Sequence, residues 1–372
     1  MTYLDYSATT PVDKRVLESF NKTCLEYIGN PNSLHKLGVK SKELEESATK
    51  QIANLLNVKS TEIIYTSGSS ESNNLAIKGI CERYKRIGKH IITTNLEHSS
   101  IYGPLEYLQN QGYEVDIVRT KNGLIDMDDL KNKLRKDTVL VTIASVNSET
   151  GIRQNIEEIG KLLKNYPCYF HVDATQSIGK VNIDFKDADL ISFSAHKIFG
   201  LKGIGCLIKK EKIDLIPLIH GGKSTTIYRS GTPALPLIVS FSKALRLSLE
   251  SLEEKIKKIK ELNCYLKEQL EGLENVTINS NEYSIPQILN ISVFNIKPET
   301  MLHALEEDEI YISTQSACSS NNTISRAVKE VTNNDERAKH SLRISISSIT
   351  TKEEIDTFLM SFKKNLKKLN IR

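Results

Sequence analysis

Asp189-Leu190-Ile191-Ser192-Phe193-Ser194-Ala195-His196-Lys197-Ile198-Phe199-Gly200 is the stretch on which the reading of this chain turns. Its first half is an apolar run of strand length, and Lys202-Gly203-Ile204-Gly205 behind it forces a turn. A run without polar alternation suits a strand covered on both faces, as in a parallel sheet. Lys197 then stands at the end of a buried strand, with a serine and a histidine close by. Burial lowers the proton affinity of a lysine, and a neutral amine can attack a carbonyl to form a Schiff base. Taken alone, these residues favour the plainer reading of Lys197 as a surface cation, because short motifs recur by chance.

Outward from this stretch, strands and helices alternate. Apolar runs predict strands over 62–66, 90–94, 113–118, 138–144, 168–172, 190–194 and 205–208. Helical spacing predicts helices over 14–27, 34–56, 71–84, 98–109, 126–134 and 156–165, with Asp126 as a cap. This alternation argues for an α/β fold, a mostly parallel sheet with helices on both faces. The pattern changes near residue 242. Leucines and isoleucines from Leu245 to Leu270 predict one long helix over 242–270, followed by short strands and helices of an α+β region. The long helix is the expected hinge.

The 372 residues are 39% hydrophobic and 26% charged, ordinary for a globular protein of one large domain with a smaller companion. A net charge of +4 is too mild to argue for nucleic acid binding. Six cysteines, at 24, 81, 168, 206, 264 and 318, form no metal-binding or redox CxxC pair, so no metal site is expected. No apolar run approaches membrane-spanning length, and the N-terminus has no signal-like segment. Free thiols in a reducing cytoplasm are expected.

Ligands of an open α/β sheet sit beyond the carboxyl ends of its strands. Four features fall there. Thr66-Ser67-Gly68-Ser69-Ser70-Glu71 offers a glycine turn, hydroxyls and a helix start, suited to a phosphate, although a plain N-cap reads equally well. His98 can stack on a flat ligand or move a proton; alone it reads rather as a helix cap. Asp173, with Gln176 three residues on, can pair with a ligand cation, or simply cap a turn. Ser194, His196 and Lys197 supply hydroxyl, imidazole and amine within four positions. Phosphate cradle, aromatic stacker, carboxylate and lysine together make the set that binds pyridoxal 5'-phosphate.

With these residues in order, the chain resembles the cysteine desulfurases of the class V aminotransferase superfamily. The resemblance runs from Tyr3-Leu4-Asp5-Tyr6-Ser7-Ala8-Thr9-Thr10-Pro11 and Gly29-Asn30-Pro31-Asn32-Ser33 through Ser67-Gly68-Ser69-Ser70-Glu71-Ser72-Asn73-Asn74. It continues with His171-Val172-Asp173-Ala174-Thr175-Gln176, Ser194-Ala195-His196-Lys197, Arg229-Ser230-Gly231-Thr232 and Ser316-Ala317-Cys318-Ser319. It implies that Lys197 is the Schiff-base lysine, Asp173 the partner of the pyridine nitrogen, Gln176 a contact of the phenolic oxygen and His98 the stacker. It implies that Ser69, Ser70, Ser194 and His196 hold the phosphate, with Thr232 reaching in from a second subunit, and that Arg343 clamps the substrate carboxylate.

The resemblance further implies that Cys318 is the nucleophile that takes sulfur from L-cysteine, leaving L-alanine, and that its persulfide passes to an acceptor protein of iron–sulfur cluster assembly or tRNA thiolation. Another class V enzyme, such as an aminotransferase or selenocysteine lyase, or a non-catalytic sulfur-transfer adaptor, would share parts of this set. The implied architecture is a homodimer. Each chain has a large cofactor domain, 14–250, and a small domain of 1–13 and 251–372 that carries the Cys318 loop and Arg343. Ser148 stands at a cofactor position where many relatives carry Asn, and Ser347-Ser348-Ile349 replaces a common Gly-Arg-Phe.

Overall fold

A computed structural model describes residues 1–314 and 324–370. The chain enters through β1 (Thr2–Tyr3) and two helices, α1 (Lys14–Glu26) and α2 (Lys36–Leu56). Asp13 starts α1 by accepting from the Arg15 N–H, and Asn57 ends α2 in the left-handed conformation. The alternating part follows: β2 (Ile63–Thr66), α3 (Ser69–Arg83), β3 (His90–Thr94), α4 (Ser99–Gln109) and β4 (Glu114–Val118). A small hairpin, β5 (Thr120–Lys121) and β6 (Leu124–Ile125), leads to α5 (Met127–Lys133), capped by Asp126. Then come β7 (Thr138–Ala144), α6 (Ile156–Leu163), β8 (Tyr169–Asp173), β9 (Leu190–Ser194) and β10 (Gly205–Lys209).

Seven of these strands form one sheet in the order β2-β10-β9-β8-β7-β3-β4. Alternate residues face opposite ways, which sorts them into two cores. Ile63, Tyr65, Ile92, Val141, Phe170, Ile191 and Phe193 join one core, while Ile64, Ile91, Leu140, Leu190 and Leu207 join the other. Helices cover both. The strands run parallel except β10, which is antiparallel to both β2 and β9. The connection from β9 is short and holds a glycine turn, too brief for a covering crossover, so the chain returns beside the strand it left.

α7 (Leu235–Leu249) and α8 (Leu252–Leu270) correct the single helix expected over 242–270. Ser251, at φ 50°, breaks it. Ile238, Phe241 and Leu245 of α7 enter the sheet core, while Leu262, Leu266 and Leu270 of α8 enter a separate one. The leucine spacing runs unbroken through the joint, so periodicity alone could not see it. β11 (Val276–Ile278), β12 (Ile288–Val293), α9 (Pro298–Glu306), β13 (Ile310–Tyr311), α10 (Arg326–Thr332), α11 (Asp335–Lys339), β14 (Ser341–Ser345) and α12 (Lys352–Asn370) complete the fold. An antiparallel sheet, β11-β12-β14, backs onto Phe358 and Phe362 of α12, and Leu4 from the N-terminus joins this core. No helix among the described residues is long and apolar enough to cross a membrane.

Candidate active site

Beyond the carboxyl ends of β2, β3, β7, β8 and β9 lies a cleft of about 200 Å³. Nine of the residues singled out from the sequence line it: Ser69, Ser70, His98, Ser148, Asp173, Gln176, His196, Lys197 and Arg343. Ser194 sits just beneath, its Oγ 3.6 Å from where a Cβ on Gly68 would be. Thr232 does not join them; it is exposed in the connection between β10 and α7. Cys318 lies outside the described residues.

Lys197 is one turn past the strand rather than at its end. Ala195–Lys197 makes a single 3-10 turn, and Phe199 follows in the left-handed region at φ 61°. That conformation costs a bulky residue about 1–2 kcal/mol, so something must hold it. The N-terminal segment does. Thr10 donates from its N–H and its hydroxyl to the His196 carbonyl, at 2.9 and 3.0 Å. The Phe199 N–H donates to the Thr10 hydroxyl at 2.7 Å, and the Asp13 N–H donates to the Phe199 carbonyl. So braced, Lys197 Nζ donates to the carbonyls of Ser7 and Ala8, at 2.6 and 2.7 Å.

Asp173 ends β8 as a buried carboxylate. Its Oδ1 accepts from the Thr175 N–H, and its Oδ2 accepts from the Asn73 amide at 2.8 Å. The same Asn73 nitrogen donates to Ser100 Oγ, which lies 2.8 Å from His98 Nδ1. Nδ1 also accepts from the Ser100 N–H, so the neutral ring carries its proton on Nε2. His98 is therefore both the cap of α4 and a wall of the cleft. Burial, with help from Lys197 and Arg343, lowers its pKa and keeps the ring neutral; Asp173 opposes this in part.

The expected start of α3 at Glu71 moves to Ser69, which brings both serines into its first turn. Gly68 is the N-cap and no side chain caps the helix, so the first-turn N–H groups face the cleft with the helix dipole behind them. Glu71 folds back to accept from the Ser67 N–H and from Arg229; although burial raises its pKa, these contacts leave it lowered overall. Gly205 lets β10 press against this loop, since a Cβ there would fall 2.6 Å from Gly68 Cα. His196 is pushed down to about 4 by burial and by Lys197, Lys180 and Lys202, and its Nδ1 meets the Thr9 hydroxyl.

Arg343, on β14, is 1% exposed. It pairs with Asp5 at 2.8 Å and donates to the Ser148 carbonyl at 3.1 Å, while its buried Nε has no partner among the described residues. Sequence reasoning missed Asp5, Thr10, Asn73, Ser100 and Lys180. Only Asn73 carried a signal, as an amide between Ser72 and Leu75 on the buried side of α3. Cys206 is buried, whereas Cys264 is exposed because it falls on the solvent side of α8.

The residues of the cleft fit pyridoxal phosphate. An uncapped helix start with two serines suits its phosphate, a held carboxylate its ring nitrogen, and a braced lysine its aldehyde. The Arg343 guanidinium lines the same cleft, and its planar fork suits a carboxylate.

The class-V aminotransferase family model matches residues 2–358. The cysteine desulfurase IscS of Buchnera aphidicola subsp. Baizongia pistaciae is 41% identical over 99% of this chain and 93% of its own. A solved NifS-like protein superposes with a TM-score of 0.93 at 33% identity, over 99% of this chain and 100% of that one. The protein SspA, solved in complex with cysteine, superposes with a TM-score of 0.83 at 31% identity, over 94% and 100%. The helix start, carboxylate and lysine converging on one cleft, and likeness over nearly the whole length, lead to one assignment: the chain belongs to the class-V aminotransferase family, among its pyridoxal-phosphate-dependent cysteine desulfurases.

Proposed function

We propose that the cleft takes L-cysteine and returns L-alanine, with the sulfur leaving on Cys318. The observation that carries this is Arg343: a guanidinium, held by Asp5 and the Ser148 carbonyl, that lines the same cleft as Lys197 and Asp173. Arg343 holds the substrate carboxylate, and Lys197 Nζ removes the proton from Cα. The cofactor, when bound, spreads the resulting electron pair over its ring. His98 packs on that ring, and Asp173 keeps its nitrogen protonated. Ser69, Ser70, Ser194 and His196 hold its phosphate, and Ser148 borders it. The Cys318 thiolate attacks the substrate sulfur; the carbon–sulfur bond breaks, its electron pair stays on Cβ and takes up a proton, Lys197 returns a proton to Cα, and the sulfur remains on Cys318 as a persulfide.

The persulfide then passes to an acceptor protein in the cytoplasm, serving iron–sulfur cluster assembly or tRNA thiolation. A homodimer supplies Thr232 from the second copy. Supporting this, Leu34, Leu37 and Ile227 are exposed, at 97%, 52% and 63%, on two segments joined by a bond from Asn32 to Ser224. The joint at Glu250–Ser251 divides a large domain, 14–250, from a small one of 1–13 and 251–372, their cores being separate. The test is Cys318→Ala in the cofactor-loaded protein. Persulfide and sulfide formation from cysteine should vanish while the cofactor's visible band stays; sulfide release at the wild-type rate refutes the sulfur role.

A further inference from the structure

Gln176 lines the cleft, and both ends of its amide are engaged. Its Nε2 donates to the Ser7 carbonyl at 2.8 Å, and its Oε1 accepts from Lys180 Nζ at 2.5 Å. The Ser7 carbonyl can only accept, and Lys180 Nζ, charged or neutral, has N–H to give to an oxygen. The two contacts therefore select one orientation of an amide that could otherwise flip, and they leave the second Nε2 proton as a donor toward the cleft. Lys180 is itself fixed, because Gln287 donates to its carbonyl at 2.6 Å.

We propose that Lys180 is a positioning residue, which locks Gln176 so that it presents an N–H, never an oxygen, to the ring oxygen of the bound cofactor. The inference rests on the cleft holding that cofactor. Among the described residues, the ionisable groups that bear on Lys180 are Lys197 and His196, from the turn after β9, and Arg343, from β14. Burial first, then Lys197 and Arg343, lowers its proton affinity well below that of a free lysine. As ammonium or amine, it still has N–H to give to Oε1. A donor aimed at the ring oxygen stabilises that oxygen as an anion, so the lysine-bound cofactor gives up its proton at lower pH.

The test is a pH titration of the cofactor's absorption band in holoenzyme carrying Lys180→Met, Lys180→Arg, Gln176→Ala or Lys180→Met with Gln176→Ala. Lys180→Met and Gln176→Ala should each raise the midpoint by about half to one pH unit, the worth of one hydrogen bond. The double variant should go no further than the singles, and Lys180→Arg should lie near wild type. An unmoved midpoint in Lys180→Met overturns the proposal. So do additive shifts in the double variant, because Lys180 would then act by its charge rather than through Gln176. If Lys180→Met does not fold, Lys180→Gln, which keeps an N–H donor, is compared with Lys180→Leu, and equal midpoints in the two overturn it. A wild-type protein that shows no band after cofactor addition refutes the cofactor reading itself, a different outcome.

Discussion

Replacing Asn73 by Asp would place a second carboxyl against Asp173. Asn73 is fully buried, and its amide nitrogen lies 2.8 Å from Asp173 Oδ2. At that separation and an effective dielectric of about 20, two unit charges repel by about 6 kcal/mol. Rotation of the new side chain toward Ser100, and water entering the cleft, reduce this to about 3 kcal/mol, or about two pH units on one carboxyl. The sign follows from linkage. The pair shares a proton in the folded state, so one folded pKa rises above the unfolded value near 4. The folded protein then binds more protons than the unfolded chain, and stability is lost as pH rises from about 4 to about 6.

The assay is urea unfolding of the apo protein at pH 4, 5, 6, 7 and 8, with Asn73→Ala as the control that cannot titrate. The variant's deficit relative to Asn73→Ala should grow by about 1.4 kcal/mol per unit to about 3 kcal/mol near pH 6, then level off. A deficit that does not change with pH refutes the contact between residues 73 and 173.

Glu97 is buried, and its carboxyl is pushed up to about 8 by burial, despite a bond from Thr94. The folded state keeps a proton that the unfolded chain releases near 4.5, so wild-type stability falls as pH rises between these values. Glu97→Gln should therefore match wild type near pH 4 and exceed it by roughly 5 kcal/mol at pH 9 in chemical denaturation, and equal curves at both pH values would contradict the burial argument. Thr10→Val removes the hydroxyl that serves both His196 and Phe199; it should cost about 2 kcal/mol of apo stability and weaken cofactor binding several-fold by fluorescence titration. Arg343→Lys cannot replace the planar fork held by Asp5 and Ser148. It should raise the KM for cysteine at least tenfold, and the loosened contacts to Asp5 and Ser148 should lower the folding temperature as well.

Local pattern alone revealed the sheet. Each inner strand is buried on both faces, so runs such as Thr138–Ala144 read as unbroken apolar segments, and the chemistry-bearing residues fall just beyond their ends. It could not reveal that β10 turns back between β2 and β9, because direction is set by how much chain the connection has for a crossover. Nor could it reveal the joint at Ser251, where the spacing of leucines continues although the two halves face different cores. The cleft divides in the same way. Lys197, Asp173 and His98 stood out together at strand ends, and Arg343 came from the family resemblance. Their supports did not: Asn73 reaches Asp173 across 100 positions, and Asp5 reaches Arg343 across 338. Periodicity records which side of an element is buried, not what stands opposite. An amide facing a carboxylate and an amide facing solvent look alike until the chain is folded, so residue order names the candidate groups, and packing between distant segments selects what holds them in place.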